Sequence, residues 1–212
     1  MTKNFKDIDS IIFDLDGTLW DSRKEVADSW SEIIKQYDYK RQDVSFQEIN
    51  DLMGKTIDEI EDILFPDIPK EKRTEILAEA CKHENEYLAK FGARLFDNLE
   101  DTLENLSKKY RLFIVSNCQT GYIEAFLNYY NLDKYFEDYE HPKKPETVKS
   151  DNIKLIAKRN NLKNPVYVGD TQGDANATKE AGLEFIYASY GFGNVEEYKY
   201  KIEKIEDLLD LV

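Results

Sequence analysis

The chain has 212 residues, of which 41% are hydrophobic and 13% aromatic, so it is long and apolar enough to fold around a substantial core. Its formal net charge of -14 disfavours nucleic acid and anionic membrane surfaces as partners. The two cysteines are too few for a disulfide framework, and the short apolar run near the N-terminus is unlike a signal peptide, so we expect a cytoplasmic protein with reduced thiols.

The first predicted element is a strand at residues 10–13, a short and partly β-branched apolar run that stops at an acidic turn containing glycine. The segment from there to residue 90 shows helical periodicity and no convincing strand. Four helices are predicted in it, at residues 24–37, 45–53, 57–64 and 70–90. Because the strand signal resumes only later, we interpret this segment as a helical insertion.

Beyond the insertion, apolar runs alternate with helical stretches. Strands are predicted at residues 112–115, 166–168 and 185–188, and helices at residues 97–109, 121–130, 151–160 and 174–181. This alternation is typical of an α/β fold with a doubly wound parallel sheet.

Polar residues directly follow three of the predicted strands. They form three pairs: Asp14 and Asp16, Ser116 and Asn117, and Asp170 and Asp174. Ligands of such sheets bind beyond the carboxyl ends of the strands, so we expect the fold to bring the pairs together. Clustered carboxylates repel one another, and the site therefore needs a cation. Mg²⁺ fits best, because it prefers hard oxygen ligands and commonly contacts substrate phosphate.

The string Asp14-Leu15-Asp16-Gly17-Thr18-Leu19 resembles the first motif of the haloacid dehalogenase (HAD) superfamily of phosphohydrolases. Ser116 resembles the second motif, and residues 169–174 resemble the fourth. The likeness is to the phosphoglycolate phosphatase-like and β-phosphoglucomutase-like branch, which has a helical cap of the first type. It implies a Rossmann-like catalytic core at residues 1–17 and 91–212, with an all-helical cap inserted at residues 18–90.

The resemblance also implies chemical roles. Asp14 would attack phosphorus as the nucleophile, and Asp16 would act as general acid and base. Ser116 would donate a hydrogen bond to the transferring phosphoryl group. Asp170 would bind Mg²⁺ together with Asp14 and the backbone carbonyl of Asp16. Asp174 would either bind the metal directly or hold one of the metal's ligands, unless it only caps the following helix.

The family places a lysine near the start of the helix that precedes the fourth motif. Two lysines fit. Lys144 stands before Pro145 and so matches a dipeptide common in the family, whereas Lys149 stands just ahead of the helix predicted at residues 151–160. We favour Lys149 and keep Lys144 as the alternative.

Further contacts with substrate or phosphate are expected from Gly17, Thr18 and Asn117, which lie in or beside the motifs, and from Lys55 in the insertion. The two tryptophans, Trp20 and Trp30, begin the insertion and are either part of its core or contacts of the substrate. Both readings stay open at this point.

These features predict a Mg²⁺-dependent phosphatase that acts on a small phosphorylated metabolite through a phosphoryl-aspartate on Asp14, as a monomer or homodimer. Two alternatives stay open. One is a sugar phosphomutase of the same family, in which a second hydroxyl of the sugar phosphate replaces water. The other is a binding module that keeps the fold without turnover.

Overall fold

The computed structural model describes residues 7–38, 41, 43–144 and 147–212. These residues form a sheet with helices on both faces, together with a group of four helices that follows the first strand. None of the helices in these ranges combines the length and the apolar character that crossing a membrane requires.

A six-stranded parallel sheet forms the centre of the molecule. The strands of the described chain are β1 (Ser10–Phe13), β2 (Trp20–Asp21), β3 (Arg94–Leu95), β4 (Arg111–Val115), β5 (Phe136–Glu140), β6 (Pro165–Gly169), β7 (Glu184–Ala188) and β8 (Tyr200–Ile202). The large sheet has the order β5-β4-β1-β6-β7-β8, and all of its neighbouring strands are parallel. The other two strands, β2 and β3, form an antiparallel pair.

The predicted helices are all present, with ends within three residues of those expected. The helices of the described chain are α1 (Arg23–Ile34), α2 (Phe46–Leu52), α3 (Ile57–Leu64), α4 (Lys70–Phe91), α5 (Leu99–Ser107), α6 (Tyr122–Tyr130), α7 (Lys149–Arg159), α8 (Gln172–Ala181) and α9 (Leu208–Leu211). Short 3-10 turns precede β5 and α9.

Side chains of the central strands alternate between two hydrophobic clusters, one on each face of the sheet. Ile11 and Phe13 of β1 enter the cluster that also contains residues of α5 and α6. Ile12 enters the opposite cluster, with residues of α7 and α8. All three side chains are fully buried. A parallel sheet covered on both faces needs continuous apolar strands, and the predicted doubly wound α/β class is confirmed.

The order of the strands positions the polar residues that follow them. β1 lies between β4 and β6, and Phe13 at its end is in register with Ile114 of β4 and Val168 of β6. The residues just beyond these three strand ends therefore meet at one edge of the sheet. This edge carries the candidate site.

Helices α1–α4, which we call the four-helix insert, pack around a hydrophobic cluster of their own. Its main internal contact is between α1 and α4. Capping boxes begin α2 and α3, where Ser45 pairs with Glu48 and Thr56 with Glu59. The predicted boundaries of the cap, at residues 18 and 90, stay a prediction.

The expectation of no strand between the first strand and residue 90 is wrong. Residues 20 and 21 form β2, which pairs with β3, the strand that follows the insert in the sequence. A strand of two residues produces no apolar run that a sequence pattern could show. The chain therefore enters and leaves the four-helix insert at adjacent points.

Candidate active site

Asp14, directly after β1, forms a buried ion pair with Lys149, the first residue of α7. The Lys149 ammonium lies 2.6 Å from Asp14 Oδ1 and 2.5 Å from Asp174 Oδ1. Asp14 is 5% exposed and Lys149 is 8% exposed. The alternative lysine, Lys144, is exposed and forms no ion pair within the described ranges. The structure thus brings Lys149, and not Lys144, to the candidate nucleophile.

Burial and charge act against each other in this pair. Burial raises the pKa of Asp14 well above its ordinary value, and the charge of Lys149 opposes that rise. Burial lowers the pKa of Lys149, but the carboxylates of Asp14 and Asp174 outweigh burial and raise it well above its usual range. Lys149 therefore keeps its charge at physiological pH, and this charge favours the ionised form of Asp14.

Asp170, directly after β6, is fully buried and has one oxygen without a partner. Its Oδ2 accepts hydrogen bonds from the backbone N–H groups of Phe192 at 2.7 Å and Gly193 at 3.2 Å, while Oδ1 accepts none from any described residue. Burial and the charge of Asp174 raise the pKa of Asp170 to about 7. Asp14, Asp170 and Asp174 each place one oxygen within 4.8 Å of the others. These hard oxygen donors suit a divalent cation such as Mg²⁺.

Two glycines let the backbone approach the Asp170 carboxylate closely. Gly17 has a φ of +81°, and a Cβ there would overlap the carboxylate group of Asp170. A Cβ at Gly191 would overlap the Asp170 side chain and the carbonyl oxygen of Gly17. A larger side chain at either position would displace Asp170.

Asp174 also caps α8, the helix in whose first turn it lies. Its Oδ2 accepts hydrogen bonds from the Thr171 backbone N–H at 3.0 Å and from the Thr171 hydroxyl at 2.7 Å, and its own N–H donates to that hydroxyl. Since Oδ1 contacts Lys149, both carboxylate oxygens have partners. Asp174 therefore caps α8 and also pairs with Lys149. Its role as a metal ligand stays a prediction.

Asp16 is held through one oxygen. Its Oδ1 accepts hydrogen bonds from Trp20 Nε1 at 2.9 Å and from the Ser22 hydroxyl at 2.6 Å. The Tyr122 hydroxyl lies 2.8 Å from both Asp16 Oδ1 and Ser22 Oγ. Burial raises the pKa of Asp16, and the hydrogen bonds from Ser22, Tyr122 and Trp20 oppose the rise. Trp20, predicted as either core or substrate contact, packs in the hydrophobic cluster that contains Ile11 and Phe13. Its hydrogen bond also orients Asp16.

A cavity of about 70 Å³, open to solvent, lies between the strand ends and the four-helix insert. The predicted site residues that line it are Asp14, Asp16, Ser116, Asn117, Lys149 and Lys55. Ser116 is buried and directly follows β4. Asn117 donates from Nδ2 to the carbonyl of Gly54 in the insert at 3.1 Å. The sheet and the insert therefore both contribute polar groups to one cavity.

Two predicted contacts, Gly17 and Thr18, do not line this cavity. Gly17 packs on Asp170 instead. Thr18 is fully buried, its hydroxyl has no partner among the described residues, and its carbonyl accepts a hydrogen bond from Tyr190 at 2.8 Å. Their contact with phosphate stays a prediction.

The cavity is also lined by Glu84 and Gln119, which were not predicted from the sequence. Glu84 lies in α4 and is only 3% exposed. Its spacing from the buried Cys81 and Leu88, three residues after one and four before the other, places it on the buried stripe of the helix. That spacing is a signal that could have identified it. Trp30, predicted as either core or substrate contact, belongs to the core of the insert and lines the cavity as well.

Phe192 contacts both Asp170, a candidate metal ligand, and the four-helix insert. Its N–H donates to Asp170, while its ring lies 3.8 Å from the guanidinium carbon of Arg23, the first residue of α1. Arg23 also lies over the ring of Phe46 and forms an ion pair with Asp21 at 2.8 Å. The contact is a cation–π interaction between the insert and the loop after β7.

Comparison with known proteins gives consistent matches. Residues 11–188 match the family model described as haloacid dehalogenase-like hydrolase. Phosphoglycolate phosphatase of Escherichia coli strain K12 is 28% identical, over 89% of this chain and 84% of that protein. Phosphoglycolate phosphatase of Vibrio parahaemolyticus is 24% identical, over 98% of this chain and 97% of that protein. Among solved structures, a predicted phosphoglycolate phosphatase from Haemophilus somnus has a TM-score of 0.85 at 21% identity, over 98% of this chain and 99% of that one, and shows the same fold.

Proposed function

Since the chain belongs to the haloacid dehalogenase-like hydrolase family, we propose that it is a Mg²⁺-dependent phosphatase of a small phosphorylated metabolite. The predicted family is confirmed, and so is the predicted class, a phosphoric monoester hydrolase. We further propose that hydrolysis passes through a phosphoryl-aspartate on Asp14.

The ion pair of Asp14 with Lys149 is the observation that carries this proposal. A carboxylate attacks phosphorus in its ionised form, and the lysine favours that form inside a buried site. Lys149 contacts Oδ1, while Oδ2 has no hydrogen-bond partner in the described chain and is the oxygen available for attack. The same ammonium would then stabilise charge on the transferring phosphoryl group.

Asp16 is suited to transfer a proton. Three donors surround its Oδ1, which leaves Oδ2 to carry the proton. Because burial raises its pKa, Asp16 holds that proton at a higher pH than an ordinary aspartic acid. It would donate the proton to the leaving oxygen and later accept one from the attacking water.

The carboxylates of Asp14 and Asp170, with the backbone carbonyl of Asp16, would hold Mg²⁺, and Asp174 lies beside them. The unpaired and buried Oδ1 of Asp170 supports this fit, since a buried polar atom without a partner is costly unless a ligand satisfies it. When bound, the ion would offset negative charge on the phosphoryl group.

Residues on both sides of the cavity would bind the phosphoryl group and the rest of the substrate. Ser116 and Asn117, at the end of β4, would donate hydrogen bonds to phosphoryl oxygens. Lys55 would contact the substrate from the insert. We propose that the four-helix insert acts as the cap, which excludes bulk water during transfer and admits one water for hydrolysis. The cytoplasmic location and the monomeric or homodimeric state stay predictions.

The test is release of inorganic phosphate from a panel of phosphate monoesters, with Mg²⁺ or with a chelator. We expect turnover with Mg²⁺ that Asp14→Asn abolishes. The matched control is Asp67→Asn, an exposed aspartate of the insert, which should keep native turnover. Unchanged activity in Asp14→Asn would refute the nucleophile.

The same panel separates the two alternatives. A phosphomutase would convert hexose phosphates into an isomer with little free phosphate. A binding module would release phosphate from none of the esters. Against the latter, Asp14, Asp16 and Lys149 line one cavity, and Asp170 and Asp174 lie close to Asp14.

A further inference from the structure

The cavity wall opposite the strand ends is mainly apolar and contains one buried carboxyl group. The insert contributes the apolar side chains Val26, Trp30, Ile49, Leu52, Ile57 and Ile60. Among them, Glu84 of α4 lines the same cavity as Asp14 and Asp16. Since the phosphoryl group belongs at Asp14, this wall would face the leaving alcohol of the substrate.

A chain of hydrogen bonds fixes which polar atoms are left for a ligand. Asn85 donates from Nδ2 to the Thr120 carbonyl at 2.8 Å, so its Oδ1 is an acceptor. Gln119 Nε2 donates to this Oδ1 at 3.1 Å and to Glu84 Oε2 at 2.9 Å. Trp30 Nε1 donates to the same Glu84 oxygen at 2.8 Å. The atoms without a partner among the described residues are therefore Glu84 Oε1 and Gln119 Oε1.

The surroundings of Glu84 favour its neutral form. Burial and the charge of Asp16 raise its pKa to about 8. The other titratable groups around it are Cys81, Cys118 and Tyr122, and in the described chain no lysine or arginine pairs with it. Since Oε2 accepts two hydrogen bonds, the proton belongs on Oε1. The wall thus offers a donor on Glu84 and an acceptor on Gln119, two side chains that are themselves hydrogen-bonded to each other.

We propose that Glu84 and Gln119 bind a hydroxyl group of the leaving alcohol, so that the substrate is the phosphate ester of an uncharged polyol or sugar. This inference rests on the proposed phosphatase function. A hydroxyl group accepts from Glu84 Oε1–H and donates to Gln119 Oε1, so it satisfies both atoms at once. The apolar side chains around them suit the carbon skeleton of such an alcohol.

The two charged alternatives each leave an atom unsatisfied. A carboxylate, as in phosphoglycolate, has no proton to give to Gln119 Oε1, and it would add a negative charge to the cavity that the ionised Asp14 already lines. An ammonium group has no lone pair for the Glu84 proton, and it would lose its water among aliphatic side chains. The wall therefore selects against both.

A matched series of two-carbon substrates tests the proposal without any mutation. The substrates are 2-hydroxyethyl phosphate, phosphoglycolate and 2-aminoethyl phosphate, assayed for phosphate release at pH 7 with Mg²⁺. We expect kcat/KM for the hydroxyl compound to exceed both others by at least about tenfold, because only the hydroxyl group pairs with both Glu84 Oε1–H and Gln119 Oε1. Equal or better turnover of phosphoglycolate or of the amine would overturn the proposal.

p-Nitrophenyl phosphate, which has no hydroxyl at the far end, monitors the phosphatase function separately. Its hydrolysis without the expected preference in the series refutes the hydroxyl site and leaves the phosphatase intact. Failure to hydrolyse any of the four esters refutes the phosphatase itself.

The pH dependence gives a second test that a merely structural role for Glu84 would not pass. Above pH 8 the native side chain ionises and loses its donor, so kcat/KM for 2-hydroxyethyl phosphate should fall by about tenfold at pH 9. Glu84→Gln keeps an acceptor for Trp30 and Gln119 and a donor for the ligand, so this part of the decline should disappear. The control is Glu86→Gln, an exposed residue of the same helix, which should keep the native profile. An identical decline in Glu84→Gln and the native protein contradicts the proposal.

Discussion

The stability of the protein should depend on pH through Glu84, and Glu84→Gln isolates this effect. The pKa of Glu84 is about 8 in the folded protein, against an ordinary value of 4.5. Between these values the folded protein keeps a proton that the unfolded chain has released. Binding of that proton stabilises the folded state at low pH, and the stabilisation is lost as pH rises towards 8.

The size of the effect follows from the same two values. Each unit of difference in pKa corresponds to about 1.4 kcal/mol, so native Glu84 contributes on the order of 4 kcal/mol at pH 5 and less than about 1 kcal/mol at pH 8. Glutamine has no proton to lose. The stability of Glu84→Gln relative to the native protein should therefore rise by roughly 3 kcal/mol between pH 5 and pH 8.

Urea unfolding of both proteins at the two pH values measures this difference. Contributions from other titrating groups are present in both proteins and largely cancel in the comparison. Glu86→Gln, on the exposed side of α4, should differ from the native protein by less than about 0.5 kcal/mol at both pH values. A gap between Glu84→Gln and the native protein that is the same at pH 5 and pH 8 would refute the reasoning.

Three further predictions concern the catalytic edge of the sheet. Lys149→Met leaves two buried carboxylates without a counter-charge, so urea unfolding should show a loss of roughly 3–5 kcal/mol and kcat/KM should fall at least about hundredfold. The same change at the exposed Lys144 should cost less than about 0.5 kcal/mol, and equal losses would refute the choice of lysine. Mg²⁺ at a hundred times its Kd should stabilise the native protein by about 2.7 kcal/mol in thermal unfolding. Asp170→Asn should remove most of this stabilisation. If the variant is stabilised as much as the native protein, the proposed metal site is wrong. Tyr122→Phe removes a donor from Asp16 and raises the pKa of Asp16 further, so the pH–rate profile should move to higher pH, with kcat roughly tenfold lower at its acid end; an unmoved profile contradicts the role.

The central part of the fold could be predicted because its strands are buried on both faces. β1, β4, β6 and β7 are therefore continuous apolar runs. The strands at the two edges of the sheet, β5 and β8, were not predicted, since each has only one neighbouring strand. In β5 the sequence Phe-Glu-Asp-Tyr-Glu carries three acidic residues, which an edge strand tolerates and a central one does not.

The convergence of Asp14, Ser116 and Asp170 could also be predicted, because each follows a parallel strand and the carboxyl ends of such strands meet at one edge. The position of Glu84 opposite Gln119 could not. It depends on how α4 packs against the sheet, and helical periodicity gives the buried face of a helix but not its partner. The wall that selects the substrate is thus the part of the site that required the structure.

Phe192 gives the metal-binding carboxylate and the insert a shared residue, and this has a thermodynamic consequence. Its N–H holds Asp170, and its ring lies against Arg23 of α1. Any displacement of α1 that separates this cation from the ring changes the energy of the segment that holds Asp170. By reciprocity, if the insert opens and closes as proposed, a cation that binds Asp170 would shift that equilibrium by the same free energy. The affinity for the cation and the tendency of the cavity to close would then be two measures of a single coupling.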